Sequence, residues 1–256
     1  MKYSIGVSNM DVALRPLMEK RLPMQGKLTG EIQLGKQAGR YLPVEICGRQ
    51  ALFALADILA DIIIEHLQIR YLMAELTRKY DYLSERGKSE ILVSTVRQLW
   101  YGGGKEKLEQ TKKDIAGRVL ICLLECEGRL ALDGILRFRM KDCTARWQQT
   151  MQQCVEQYTA KNEQKEFIKL LRYFVCMRDP MVHYVEVLPI GEEYEMLDER
   201  GNRIDVYIDE EPDATKEDLL LSGLIDLAPE VIDLAQVGDD DLKELLADIF
   251  VGRIRG

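Results

Sequence analysis

From Arg49 to about Asp179 the apolar residues recur with a period of 3.6, whereas the segments on either side alternate with a period near two. The two periods put apolar side chains on different faces, so a run written for a helix cannot rest as a strand. The chain must therefore build a helical core flanked by small strand-bearing units, which is an α+β fold. The organisation this implies is an N-terminal β-α-β-β unit over residues 1–48, a mostly helical core over 49–180 and an acidic C-terminal α/β unit over 181–256, separate or packed as one domain.

Within the core, Arg49 to Tyr80, Ser84 to Trp100, Lys105 to about Glu127, Arg129 to Lys161 and Glu163 to Arg178 read as successive helices. The first is apolar nearly all round and bears one narrow polar stripe, Asp57, Asp61, Glu65 and Gln68, at steps of four, four and three. Carboxylates so spaced can hold a metal or exchange protons. The companion that such a site needs, a Glu-x-x-His pair on a second helix, does not occur in the sequence. The stripe reads as the wetted edge of a mostly buried helix. Further on, EFIKLLRYFV is apolar on all but a narrow strip, which predicts Phe167, Leu170, Leu171, Phe174 and Val175 inside the core.

On the N-terminal flank KYSIGVS predicts a strand and DVALRPLMEKRL a short helix with Pro16 near its first turn. GKLTGEIQLG and GRYLPVEICG predict a hairpin around GKQAG. On the C-terminal flank MVHYVEVLPI, EYEMLDE and RIDVYID predict a meander. KEDLLLSGLIDLA predicts a helix, EVIDLAQ a strand and DDDLKELLADIFVGRI a last helix, with Asp239 to Asp241 where exposed amides favour negative charge.

Charge divides unevenly along the chain. Residues 191–256 carry 20 Asp and Glu against 6 Lys and Arg, a balance of −14, and residues 1–190 carry 23 against 29, a balance of +6. The acidic end cannot be a nucleic-acid face, so a polyanion would have to meet the helical middle. The N-terminus has no apolar stretch before a small-residue cleavage site, and Ala51 to Ile64 is too short to span a bilayer and is cut by Asp57 and Asp61. A cytoplasmic protein without a membrane partner is expected. The six cysteines are expected to be reduced and buried; Cys122 and Cys126 share a helix face, but only His66 and His183 could help them hold a metal, so neither metal nor cofactor is expected. YGGGKEK joins two helices and lacks the GxxxxGK[ST] spacing of a phosphate loop, and His183 has no nucleophile motif beside it.

The stretch LDGILRFRMKDCTARWQQ sets its apolar residues Leu136, Met140, Cys143, Trp147, Met151 and Cys154 on one helical stripe. Arg139, Asp142 and Arg146 fall on a second, where they could form an intrahelical charge ladder. Alternatively Arg137, Arg139, Lys141 and Arg146 line a binding face for an anion or an acidic partner.

That stretch, followed by QKEFIKLLRYFV, YEMLDERGNRI and EDLLLSGLIDLAPEVI, resembles the YtxC-like family of sporulation proteins in order and spacing over roughly the C-terminal half. Arg137 stands where the family pattern has a small polar residue, and Cys143 where it has an aromatic one. The resemblance implies a soluble protein of endospore-forming bacteria and assigns no catalytic residue. The leading expectation is a non-catalytic interaction or regulatory protein of sporulation, whose basic helical face meets an acidic protein or a second copy of the chain. A nucleic-acid-binding accessory protein using the same face is the alternative, and a carboxylate-dependent hydrolase built on Asp57 and Asp61 comes last.

Overall fold

Alternation at the N-terminus becomes strand β1 (Lys2–Gly6), and Gly48, at φ +91°, starts the first long helix immediately after the sheet's hairpin. The computed structural model describes residues 1–7, 13–23, 31–37, 39–126, 128–205 and 214–255. Two compact units divide the chain, Met1–Tyr158 and Thr159–Gly256. The strands of the opening residues thus share a unit with the helices up to Tyr158.

In the first unit β1 lies between β3 (Tyr41–Ile46), antiparallel, and β4 (Arg129–Ala131), parallel, with β2 (Ile32–Leu34) outside β3. Ile5 pairs with Leu42 on one side and Leu130 on the other, and all three are buried. Residues 26–30 of the expected hairpin lie outside the described residues. Helix α1 (Leu14–Arg21) precedes β2, and α2 (Arg49–Ile62) runs through a π-helical turn, Ile63–Leu67, into α3 (Gln68–Lys79). Then come α4 (Glu85–Tyr101), whose Ser84 cap accepts the Gly87 N–H at 3.1 Å, and α5 (Gly104–Glu125), packed along α2.

The expected helix from Arg129 to Lys161 is corrected in three places. Gly128, at φ +88°, reverses the chain, and the open edge of β1 takes Arg129–Ala131 as β4. That pairing is non-local, so periodicity does not reveal it. Helix α6 (Leu132–Arg139) then stops at Met140, which is fully buried at φ −127° and ψ 36°. Finally the expected fourth and fifth helices are one, α7 (Lys141–Met177), because AKNEQKE has no glycine or proline to stop it.

The second unit holds a sheet of order β6-β5-β7-β8. β5 (Tyr184–Ile190) pairs antiparallel with β6 (Glu193–Leu197) around Gly191 and parallel with β7 (Val231–Asp233), which is parallel to β8 (Ile254–Arg255). Of the expected third meander strand, the structure shows a single bridge from Arg203 to Leu197, and residues 206–209 lie outside the described residues. Helix α8 (Lys216–Leu227) opens on a capping box of Thr215 and Asp218, and α9 (Asp240–Ile249) on Asp239, which accepts the Leu242 N–H at 3.0 Å. Val175, Val185, Leu224, Leu246 and Phe250 form its core.

Two burial expectations are corrected. Val175 is buried and Leu171 half-buried, but Phe167, Leu170 and Phe174 are 58%, 57% and 57% exposed. An apolar strip shows which residues are suited to burial and not how many sides of the helix are covered. Among the cysteines, Cys122, Cys143 and Cys154 are buried and Cys126 is half-buried, whereas Cys47, at the end of β3, and Cys176, near the end of α7, are exposed.

Phe174→Ala should therefore change stability by under about 0.5 kcal/mol, whereas Leu224→Ala should cost about 2–5 kcal/mol; denaturant midpoints of the two variants check this. Gly6→Ala should destabilise by about 1–3 kcal/mol, because an added Cβ would stand 2.6 Å from the Arg40 carbonyl oxygen. An unchanged unfolding midpoint for Gly6→Ala would show that β3 shifts at no cost.

Candidate functional site

Met140 divides the basic stretch. With the helical period interrupted there, Arg139, Asp142 and Arg146 do not share a stripe, and the expected intrahelical ladder is not formed. Each end is instead taken by α5. Arg139 donates to Glu125 at 3.0 Å, and Arg118 donates twice to Asp142, both at 2.6 Å, and also to the Arg139 carbonyl at 3.2 Å. The hydrogen bond from Arg118 holds the Asp142 carboxyl below the usual carboxylate range. Arg137, Phe138 and Lys141 remain exposed around the break, with the Arg137 guanidinium 5.6 Å from the Phe138 ring centroid.

The carboxylate stripe on α2 has also been taken up. Arg21 of α1, itself buried, reaches Glu65 and lies 3.8 Å from Asp61, and Lys112 of α5 comes within 3.2 Å of Asp61. These contacts clasp α1 and α5 onto the α2 helix. Asp57 alone of the three acids is exposed, and its carboxyl is pushed up by partial desolvation and by Asp61.

Gln68 leaves the stripe altogether. The π turn inserts one extra residue, which rotates everything after it by about 100° relative to a regular helix. Gln68 is consequently buried, and its Oε1 accepts the Trp100 indole N–H at 2.8 Å. Beside this bond a pocket of about 250 Å³ opens among α4, α5 and α7, with Trp147 in its apolar wall. Arg146 and Lys107 line it, together with the hydroxyls of Thr111 and Thr150 and the side chains of Gln98 and Gln153. No carboxylate is among the described lining residues.

Of the four cations expected to share a face, the structure thus gives Arg146 to the pocket, ties Arg139 to Glu125 and leaves Arg137 and Lys141 exposed at the break. Sequence reasoning did not reach Gln68, Trp100 or Lys107 as pocket residues. The readable signal was the connector YGGGKEK, which contributes Gly102 and Lys107. His183 sits exposed with Nδ1 against Glu230 and Nε2 at 3.7 Å from Glu199. Among the described residues no three His, Cys, Asp or Glu side chains gather as a metal cluster, Cys122 and Cys126 included.

Fold and site define an α+β protein with a helical first unit that carries a donor-lined pocket, and among the described residues no helix is long and apolar enough to cross a membrane. The sequence pattern of the YtxC-like family matches residues 53–255, and the chain belongs to that family. No curated protein and no solved structure matches the chain.

The depressed Asp142 carboxyl has a pH signature. Its folded pKa lies below its unfolded value, so the Arg118 pair contributes stability that is present above about pH 4 and is lost as pH falls through the folded value. Because both side chains are partly exposed, the contribution is under about 1 kcal/mol. Asp142→Asn should remove that part of the acid dependence, as read from urea unfolding near neutral pH and at about pH 3. A variant as acid-sensitive as the native chain would show that the pair contributes nothing.

Proposed function

We propose that this protein is a cytoplasmic, non-catalytic interaction or regulatory protein of sporulation, and that its basic surface around Met140 meets an acidic protein partner. The observation behind this reading is the exposed Arg137–Phe138 pair, whose guanidinium has no carboxylate partner among the described residues. Arginine and aromatic anchors carry much of the energy at protein interfaces. A guanidinium without a counter-ion in its own chain can take one bidentately from another. Lys141, exposed and likewise without a carboxylate partner among the described residues, adds to the same charge. Arg139 does not contribute in this way, because Glu125 already holds it.

Replacing Arg137 and Lys141 together by Glu should leave the protein's level and thermal unfolding unchanged. Its affinity for an acidic partner cross-linked to it in sporulating cells should fall by about 2 kcal/mol or more. In a spore-forming host the same double variant should reduce heat-resistant spores towards the count of a deletion strain. A normal spore count from the variant would overturn the assignment of this surface. Binding to DNA that weakens steeply with salt, and is lost in the variant, would move the reading to nucleic acid.

A further inference from the structure

The pocket beside Gln68 carries an inference separate from the basic surface. An indole N–H can only donate, so the bond from Trp100 fixes the Gln68 amide with its oxygen towards the ring. The amide NH₂ is thereby turned away and has no hydrogen-bond partner among the described residues. Gln68 as a whole is only 3% exposed, yet among the described residues no fully buried side-chain nitrogen or oxygen lacks a partner. The amide nitrogen is therefore the part of Gln68 that remains reachable, and the pocket is what reaches it. A buried donor left in this position is costly unless something accepts from it.

The surrounding chemistry says what could accept. Arg146 and Lys107 line the same pocket, and neither has a carboxylate within ion-pair distance among the described residues. Thr111 and Thr150 already donate their hydroxyl protons to the Lys107 and Arg146 carbonyls, at 2.8 and 3.1 Å. Among the described residues the unused donors are thus the amides of Gln68, Gln98 and Gln153, a guanidinium and an ammonium, a set that suits an anionic oxygen head. The lining also includes Ile64, Leu99, Leu108 and the two tryptophans, which suit a compact apolar body. At about 250 Å³ the pocket is smaller than the roughly 300–1,000 Å³ of ordinary ligand clefts, which excludes a nucleotide-sized occupant.

We propose that this pocket is a binding site for a small organic oxyanion, a compact apolar body carrying a carboxylate or phosphate head. Arg146 and Lys107 supply the charge, and the Gln68 amide donates to one head oxygen. The π-helical turn is what aims that amide.

The chain contains two tryptophans, Trp100 and Trp147, and both line the pocket, so their fluorescence reports on its occupancy. Titrating the full chain with benzoate and with phenyl phosphate should give a saturable change with at least one of them, with a Kd below about 1 mM. The tighter of the two identifies the head. Arg146→Gln, at an exposed position, should weaken binding about tenfold or more, and Lys107→Gln likewise. Gln68→Glu keeps an acceptor for the Trp100 indole but removes the donor, and it should abolish the response. Should that variant fail to fold, the two surface variants still decide. No saturable change with either anion would overturn the proposal, as would a response that survives both Arg146→Gln and Lys107→Gln. Equal binding of benzyl alcohol would overturn the anionic head, and equal binding of inorganic phosphate would overturn the apolar body.

Discussion

Helix α2 can leave only one narrow side wet. Between Ala51 and Ile62 only Phe53 and Asp57 are exposed, and the burial continues through Ile63, Ile64 and Leu67. At about 1.5–3 kcal/mol for each large aliphatic side chain removed from water, this one helix accounts for a large share of the hydrophobic driving force in its unit. A helix of that kind folds only if its neighbours enclose it, so the placement of α1 and α5 follows from it. The ionic clasp then makes the enclosure specific. Buried Arg21 cannot be left without its carboxylates, so α1 has one favourable docking position, the one that delivers the guanidinium to Asp61 and Glu65.

The π turn at Ile63–Leu67 serves two demands that a regular helix could not meet together. Upstream, Asp61 and Glu65 must face the cations of α1 and α5. Downstream, Gln68 must face Trp100 on α4. In an unbroken 3.6-residue helix the steps from Asp57 to Gln68 keep all four polar residues on one stripe, and Gln68 would follow the acids towards Arg21. One extra residue in the turn separates the two sets. Such turns are found frequently at functional sites, and here the turn delivers the buried Gln68 amide to a pocket edged by two cations.

What the sequence made legible was whatever depends on local pattern. The change of period at Arg49, the helix start at Ser84, the cap at Asp239 and the hairpin of β2 and β3 are all set by residues near one another in the chain. What it hid depends on partners far away. Arg129–Ala131 became a strand only because β1, more than a hundred residues earlier, has an edge to fill. No glycine or proline stands between Ile135 and Asp179 to announce the break at Met140, and the groups that stabilise it, Arg118 and Glu125, come from α5. Once the helix breaks there, the spacing that set Arg139, Asp142 and Arg146 on one stripe no longer applies. Phe167 and Phe174 satisfy an apolar pattern, and the sides of α7 they occupy are nevertheless uncovered.

The same distinction governs how charge should be read. The balance of −14 in the last 66 residues suggests an acidic surface for a partner, but several of those acids have local structural work. Asp198 accepts from the Arg200 and Asn202 backbones and from the Asn202 side chain, and these bonds hold its carboxyl below the usual range. Asp218 and Asp239 cap helices, and Asp226 receives Arg178. In the first unit the net excess is only modestly basic, yet Arg137, Lys141, Arg146 and Lys107 have no carboxylate partner among the described residues. A charge already hydrogen-bonded within the fold has little left to offer another molecule, whereas an unpartnered one keeps its full capacity. By that measure the proposed recognition surface rests on the unpartnered cations of the helical unit, while Asp198, Asp218, Asp226 and Asp239 are already engaged within the fold at the other end of the chain.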